Sequence, residues 1–219
     1  GREHSIETDL LLTHFGVIPH IWLTQAAGCQ HQWDSNQQCW RPEQDDWGNS
    51  SIKGILVAGD GAGINGGRSA EHAGRLAGLQ VLFALELITQ TERDQRSVNE
   101  RKWMNDERRI RPFLEAYFAI PQKLLATADK DTIVCRCEEI TAGQIRTAVD
   151  NGHGSGNDVK YLTRCGMGAC QGRQCANAVA HIVADAGRQP VSVNSHFRGR
   201  PPVAPLTLKQ LAGLAKRGV

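Results

Sequence analysis

Cys135-Arg136-Cys137-Glu138-Glu139 and, further along, Thr163-Arg164-Cys165-Gly166-Met167-Gly168-Ala169-Cys170-Gln171-Gly172-Arg173-Gln174-Cys175 decide how this chain is read. Five of its seven cysteines fall between Cys135 and Cys175, while Cys29 and Cys39 lie far upstream. An odd, crowded set is unlike the even framework of a small secreted domain, and points to reduced thiolates around a metal. Cys135-x-Cys137 and Cys170-x4-Cys175 make two close pairs separated by thirty-two residues. Together they supply the four thiolates that a [2Fe–2S] cluster requires. Structural zinc competes for the same thiolates, although its pairs usually enclose roughly two to four residues rather than one. Disulfides compete less well, because nothing here marks an oxidising compartment. Cys165 is a fifth cysteine beside a four-thiolate site and is read as small buried packing, as are Cys29 and Cys39.

The surroundings suit an anionic centre. Thr141-Ala142-Gly143-Gln144 fits a capping box, and Ile140 with Ile145 fits the hydrophobic staple around it, so a helix begins just after the first pair. Asn151–Gly156 breaks that helix. A short helix near Val159–Thr163 follows, and another over Arg173–Ala186 stops at Gly187. Helix N-termini near Ala142 and Arg173 then aim amide hydrogens at the cysteines, and Arg136, Arg164 and Arg173 offer cations. Gly166, Gly168 and Gly172 allow backbone N–H groups to approach the sulfurs. The tail, with Pro201, Pro202 and Pro205, reads as extended or polyproline-like.

Upstream, Leu10-Leu11-Leu12 reads as a short buried strand that turns at Phe15–Pro19, and residues 28–50 as polar loop with a hairpin. Trp33, Trp40 and Trp47 are read as anchors of that loop. Gly54–Asp60 reads as a second buried strand and Ser69–Ile88 as a helix, with Leu76, Leu79, Leu82, Phe83 and Leu87 at helical spacing and cover expected on more than one side. Residues 91–111 alternate in charge and read as a solvated helix or linker, followed by an amphipathic stretch through Phe113, Leu114, Tyr117 and Phe118.

The composition is that of a globular chain of 219 residues, 40% hydrophobic and 22% charged. A formal net charge of +2 gives no electrostatic reason to expect nucleic acid. No apolar run approaches the roughly 20 residues that span a bilayer, and the N-terminus carries no signal-peptide pattern, so a cytoplasmic location is expected. His14, His20, His72, His153, His181 and His196 show no ligand spacing, and no nucleophile elbow, Walker loop or zincin signature occurs. Gly61-Ala62-Gly63-Ile64-Asn65-Gly66 nominally matches the dinucleotide fingerprint. It lacks the second strand with an acidic end that completes a first βαβ unit. The bland alternative is a tight strand-to-helix connection.

Both cysteine segments resemble the [2Fe–2S] domain of the bacterioferritin-associated-ferredoxin type. More narrowly, they resemble the version at the C-terminus of the α (A) subunits of bacterial opine oxidases and dehydrogenases, hydrogen cyanide synthase, and proline or hydroxyproline dehydrogenases. The resemblance implies Cys135, Cys137, Cys170 and Cys175 as ligands. Ser50–Asp60 similarly resembles the late strand of FAD-dependent proteins related to the pyridine-nucleotide disulfide reductases. That likeness implies Gly59, Asp60, Gly61, Gly63 and Gly66 as FAD-binding residues, with Asp60 beside the ribityl–phosphate arm. The implied fold is mixed α/β and α. Residues 1–92 form the C-terminal remnant of an incomplete Rossmann-like FAD domain and 93–128 a charged helical linker; 129–190 form a helical cluster domain and 191–219 the tail. The implied role is the electron-transfer portion of a multisubunit FAD/[2Fe–2S] dehydrogenase. It would oxidise an opine or related secondary amine with other flavoprotein subunits and an electron acceptor, and be membrane-associated only through partners. A non-catalytic iron–sulfur carrier or docking module and a structural zinc domain are the alternatives.

Overall fold

The computed structural model describes residues 4–12, 14, 16–121, 124 and 127–215. Leu10, Leu11 and Leu12 do not form the expected strand. They run unpaired and are 72%, 76% and 84% exposed. Three leucines carry the apolarity of a buried strand, but a strand also needs a neighbour to take its N–H and C=O groups. Of the turn expected after them, Phe15 lies outside the described residues; Pro19 is buried and leads into helix α1, Trp22–Ala26.

The hairpin expected within residues 28–50 is present. Strand β1, His31–Asp34, pairs antiparallel with β2, Cys39–Pro42, placing Trp33 opposite Trp40. The two indoles meet edge to face at 5.5 Å, and Trp33 also meets His181 at 5.6 Å. Trp47 lies under the guanidinium groups of Arg93 and Arg101, at 4.0 and 4.3 Å. Trp33 and Trp47 therefore anchor loop against helix, while Trp40 packs on Trp33 within the hairpin.

Gly54–Asp60 is also not a strand. Only an isolated bridge, Asn49 to Leu56, forms before a 3-10 turn over Gly59–Ala62. The Asp45 carboxylate accepts the N–H groups of Trp47 and Asn49 at 2.8 and 2.9 Å, and Val57 N–H donates to Gly48 C=O. The backbone is satisfied by turns, so no ladder is required. Helix α2, Gly67–Ala84, packs antiparallel on α3, Gln90–Arg108. Leu76, Leu79 and Met104 are buried between them, while Leu87 stays exposed. No parallel sheet covers α2 among the described residues. Polar contacts hold the rest of this pair, including His72 Nδ1 to Glu100 Oε2 at 2.6 Å. A short helix α4, Arg111–Tyr117, carries the amphipathic stretch, yet Phe113, Tyr117 and Phe118 face solvent.

From Ile133 the chain forms a compact module. Strand β3, Ile133–Cys135, pairs with β4, Ile140–Thr141. Helix α5, Ala142–Asp150, starts where the capping box places it: Thr141 Oγ1 accepts Gln144 N–H and Gln144 Oε1 accepts Thr141 N–H. Helix α6 spans Gly156–Thr163 and α7 spans Ala176–Ala186. Ile145, Val159, Val179, Ile182 and Phe197 fill the space between them. A 3-10 turn at Val193–Ser195 leads into a proline-containing strap and a final helix α8, Leu208–Ala215. No helix among the described residues is long and apolar enough to cross a membrane.

The hairpin docks on this module through Asn177, whose side-chain amide donates to Gln38 C=O at 3.1 Å, and through Trp33, whose ring meets His181. Burial pushes His31, His181 and His196 below the ordinary 6.5. A depressed histidine pKa means that the unfolded chain takes up protons that the folded chain refuses. Stability is then complete above pH 6.5 and declines as pH falls through that value. Thermal melts should show a falling Tm between about pH 7.5 and pH 5.5, whereas a flat profile would mean that the histidines take up protons alike in the folded and unfolded chain.

Candidate metal centre

The first cysteine pair is presented by the β3–β4 hairpin. Cys135 ends β3 fully buried, and Cys137 stands exposed in the turn, where Glu139 has a left-handed φ of 55°. The second group is presented by the loop between α6 and α7. Arg164 ends α6 with φ 64°, Thr163 Oγ1 accepts Cys165 N–H, and Cys175 stands at the N-cap of α7. An ion pair between Arg164 Nε and Glu138 Oε2, at 3.0 Å, ties the loop to the hairpin turn.

The structure brings all five cysteines of the module to one place. The sulfurs of Cys135, Cys165 and Cys175 lie within 4.8 Å of one another and are buried, while Cys137 and Cys170 share a hydrogen bond nearer the surface. Cys165 therefore packs, as expected for a small buried residue, but it packs against the sulfurs themselves. Spacing alone could not reveal this, because only the bend after α6 turns Cys165 inward.

Backbone amides reach three of the sulfurs. Gly166 N–H donates to Cys135 Sγ at 3.4 Å. Partial burial disfavours the Cys170 thiolate, but N–H groups of Gln174, Gly172 and Arg173, together with the Cys137 thiol, bring its pKa below the ordinary thiol value. Cys137 moves the other way. A Cys170 amide favours its thiolate, but the shared proton and the neighbouring Cys170 and Cys135 charges prevail. The hydrogen bond with Cys165 and then burial push the Cys175 thiol strongly up. Cys170 is thus the thiol that ionises more readily, and Cys175 needs a cation before it can. That is the chemistry of a thiolate metal site.

Two sequence expectations about its electrostatics are corrected. The N-terminus of α5 does not aim free amides at the sulfurs: Ala142 N–H donates to Thr132 C=O and Gly143 N–H to Lys130 C=O. The following helix begins at Ala176 rather than Arg173, and loop amides 172–174 take the role foreseen for a helix end. Arg164 is neutralised by Glu138, and Arg173 donates to Val203 C=O at 2.7 Å.

Gly168 has no room for a side chain, because a Cβ there would overlap Cys137 Cβ. Gly168→Ala should therefore drive the hairpin turn away from the loop and cut bound metal to a small fraction, as read by metal analysis of the folded variant. Full occupancy in the variant would contradict this geometry.

The glycine-rich turn is less enclosed. Gly59, Asp60, Gly63 and Gly66 border a shallow depression of about 20 Å³ beside Arg108, whereas Gly61 faces the His20 and Val57 side. Asp60 is exposed, and Gln37 pins the loop through both Ile64 N–H and Ile64 C=O. Room for one water-sized group does not enclose a dinucleotide.

Residues 129–214 match the model of the sarcosine oxidase A3 domain. The chain is 43% identical over 218 residues to the A subunit of opine oxidase from Agrobacterium tumefaciens (strain Ach5), covering 97% of this chain and 42% of that protein. It is 33% identical over 210 residues to the HcnB subunit of hydrogen cyanide synthase from Pseudomonas aeruginosa, covering 95% and 44%. The chain thus spans less than half the length of these curated relatives. The crystal structure of L-proline dehydrogenase from P. horikoshii superposes with a TM-score of 0.72 at 20% identity, over 90% of this chain and 37% of that one. The chain has the mixed α/β fold of that portion.

Proposed function

We propose that this chain is part of an A subunit of the opine oxidase type, and that residues 129–190 are its electron-transfer domain, holding a [2Fe–2S] cluster on Cys135, Cys137, Cys170 and Cys175. The convergence of hairpin turn and α6–α7 loop thiols carries this reading. The thiol-only donor set, the Gly166 amide on Cys135 and the Gly168 cradle all fit such a group. When bound, the cluster supplies one-electron transfer without proton chemistry. The chain's own residues do the rest. Loop amides 172–174 favour the anionic form of the Cys170 sulfur, and burial of Cys135 and Cys175 keeps water from the inner side. The Arg164–Glu138 pair fixes the distance between the two halves of the site.

In this reading residues 1–92 belong to a flavin-binding domain, 93–128 link it to the cluster domain and 191–219 form the tail. The 20 Å³ depression at Gly59–Gly66 does not by itself fit FAD, so a complete flavin site needs protein beyond these residues. Oxidation of the C–N bond of an opine or related amino acid falls to partner subunits of a hetero-oligomer. Purified with its partner subunits and mixed anaerobically with an opine, the complex should lose its iron–sulfur absorption within turnover time. Flavin reduction with no such loss would leave only a docking module.

A second reading has its own observation. Three buried sulfurs within 4.8 Å, those of Cys135, Cys165 and Cys175, are grouped as for a single zinc ion.

A further inference from the structure

Of the five thiols gathered in the module, Cys165 is the one to which a four-cysteine cluster gives no task. It is fully buried, and its sulfur lies within 4.8 Å of the sulfurs of Cys135 and Cys175. Its backbone is fixed on both sides. Cys165 N–H donates to Thr163 Oγ1 at 3.1 Å, and the Thr163 hydroxyl donates in turn to Val159 C=O at 2.6 Å. The next residue, Gly166, is bent at φ 82° with its N–H on Cys135 Sγ, and the Phe197 ring bears directly on it. Cys165 belongs to the same buried cluster as Val159, Ile182 and Phe197, which offer a thiol proton no acceptor. The acceptor at hand is Cys175, with which Cys165 shares a hydrogen bond.

The four ligand sulfurs are not supported alike. Cys135 takes the N–H of Gly166, Cys137 that of Cys170, and Cys170 those of Gly172, Arg173 and Gln174. For Cys175 the leading hydrogen-bond partner is the Cys165 side chain. As a free thiol Cys175 carries a proton of its own and can be the donor, to Cys165 or, at 3.9 Å, to Gly172 C=O. As a metal ligand it must give up that proton. The bond can then run only one way, from the Cys165 thiol to the Cys175 sulfur.

We infer that Cys165 donates its S–H to the Cys175 ligand sulfur and thereby raises the reduction potential of the [2Fe–2S] cluster. This tuning presupposes the four-cysteine cluster of the proposed function. Reduction adds a negative charge that the ligand sulfurs share, so a donor on one of them favours the reduced form. A thiol is a weak donor. Both sulfurs are shielded from water, however, with Cys175 2% exposed, and a hydrogen bond counts for more there. Cys165 acts through Cys175, neither as a ligand nor as packing alone.

Anaerobic spectroelectrochemical titration of the 219-residue chain, with iron and sulfide counted in each sample, tests it. Cys165→Ala and Cys165→Val both remove the donor, one leaving a small void and the other filling it. Both should keep about two irons and two sulfides. At a fixed potential both should shift the oxidised-to-reduced ratio about fivefold towards oxidised, which is ~40 mV at about 59 mV per tenfold for one electron. Cys165→Ser keeps a hydroxyl donor and should recover roughly half of that shift or more. Cys29→Ala, which removes a buried thiol outside the module, should leave the potential where it is. A ratio within about 1.5-fold of the parent in both alanine and valine variants, or a serine variant as low as alanine, would overturn the tuning. Loss of iron from folded Cys165→Ala and Cys165→Val would make Cys165 a ligand and overturn it as well. A parent chain holding zinc and no sulfide would instead fail the cluster reading, and the tuning with it.

Discussion

Cys137→Ser should leave the protein without iron and without visible absorption, whereas Cys165→Ser should keep both. The two residues differ in ways that make the comparison sharp. Cys137 is exposed in the hairpin turn, so serine there disturbs no core, and any loss of metal reports ligation. Cys165 is fully buried beside Cys135 and Cys175, so serine there puts a hydroxyl into an apolar setting and costs some stability. If Cys165 only packs, the metal survives that cost. Two pairs, Cys135 with Cys137 and Cys170 with Cys175, already give each iron two thiolates. The opposite pattern, with metal lost in Cys165→Ser and kept in Cys137→Ser, would move the site to the three buried sulfurs and favour one ion over a cluster. Iron and zinc analysis of both variants, each checked for folding by circular dichroism, reads the outcome.

Phe197→Ala should be the most destabilising single substitution in the cysteine module, by about 3–5 kcal/mol, with Tm lower by roughly 10 °C. Phe197 is 1% exposed, and its ring fills the space that side chains at Gly166 and Gly172 would otherwise occupy. Both glycines have left-handed φ, 82° and 80°, so the loop holding Cys165, Cys170 and Cys175 is bent around this ring from two sides. Removing the ring leaves a cavity under the cysteine loop that two glycines cannot fill. Phe197→Leu should cost less than half as much. A melting temperature within about 2 °C of the parent for Phe197→Ala would refute the wedge.

Local signals in the sequence suffice where a residue's own neighbours decide the outcome. Thr141 and Gln144 cap a helix by reaching each other across three residues, and the glycine-rich break after Asp150 ends it. Two further capping boxes, Thr89 with Glu92 and Thr207 with Gln210, have the same spacing and stand at the starts of α3 and α8. The second lies in a tail whose prolines suggest only extended chain, so the box is the signal that marks α8. The two apolar runs, Leu10–Leu12 and Gly54–Asp60, mislead because their composition suggests burial, and no partner strand exists among the described residues. The candidate site is legible as a pattern of thiols. Not legible are the packing of Cys165 against the Cys135 and Cys175 sulfurs and Phe197 reaching back to Gly166 and Gly172. Both depend on contacts between residues far apart in the chain.

In the proposed function these thiols hold an iron–sulfur centre. Metal and acid-labile sulfide analysis of the anaerobically purified chain, together with its visible spectrum, tests it most directly. About two irons and two sulfides per chain, with absorption bands that bleach on reduction, are the predicted result. One zinc per chain, no sulfide and a colourless protein would contradict it.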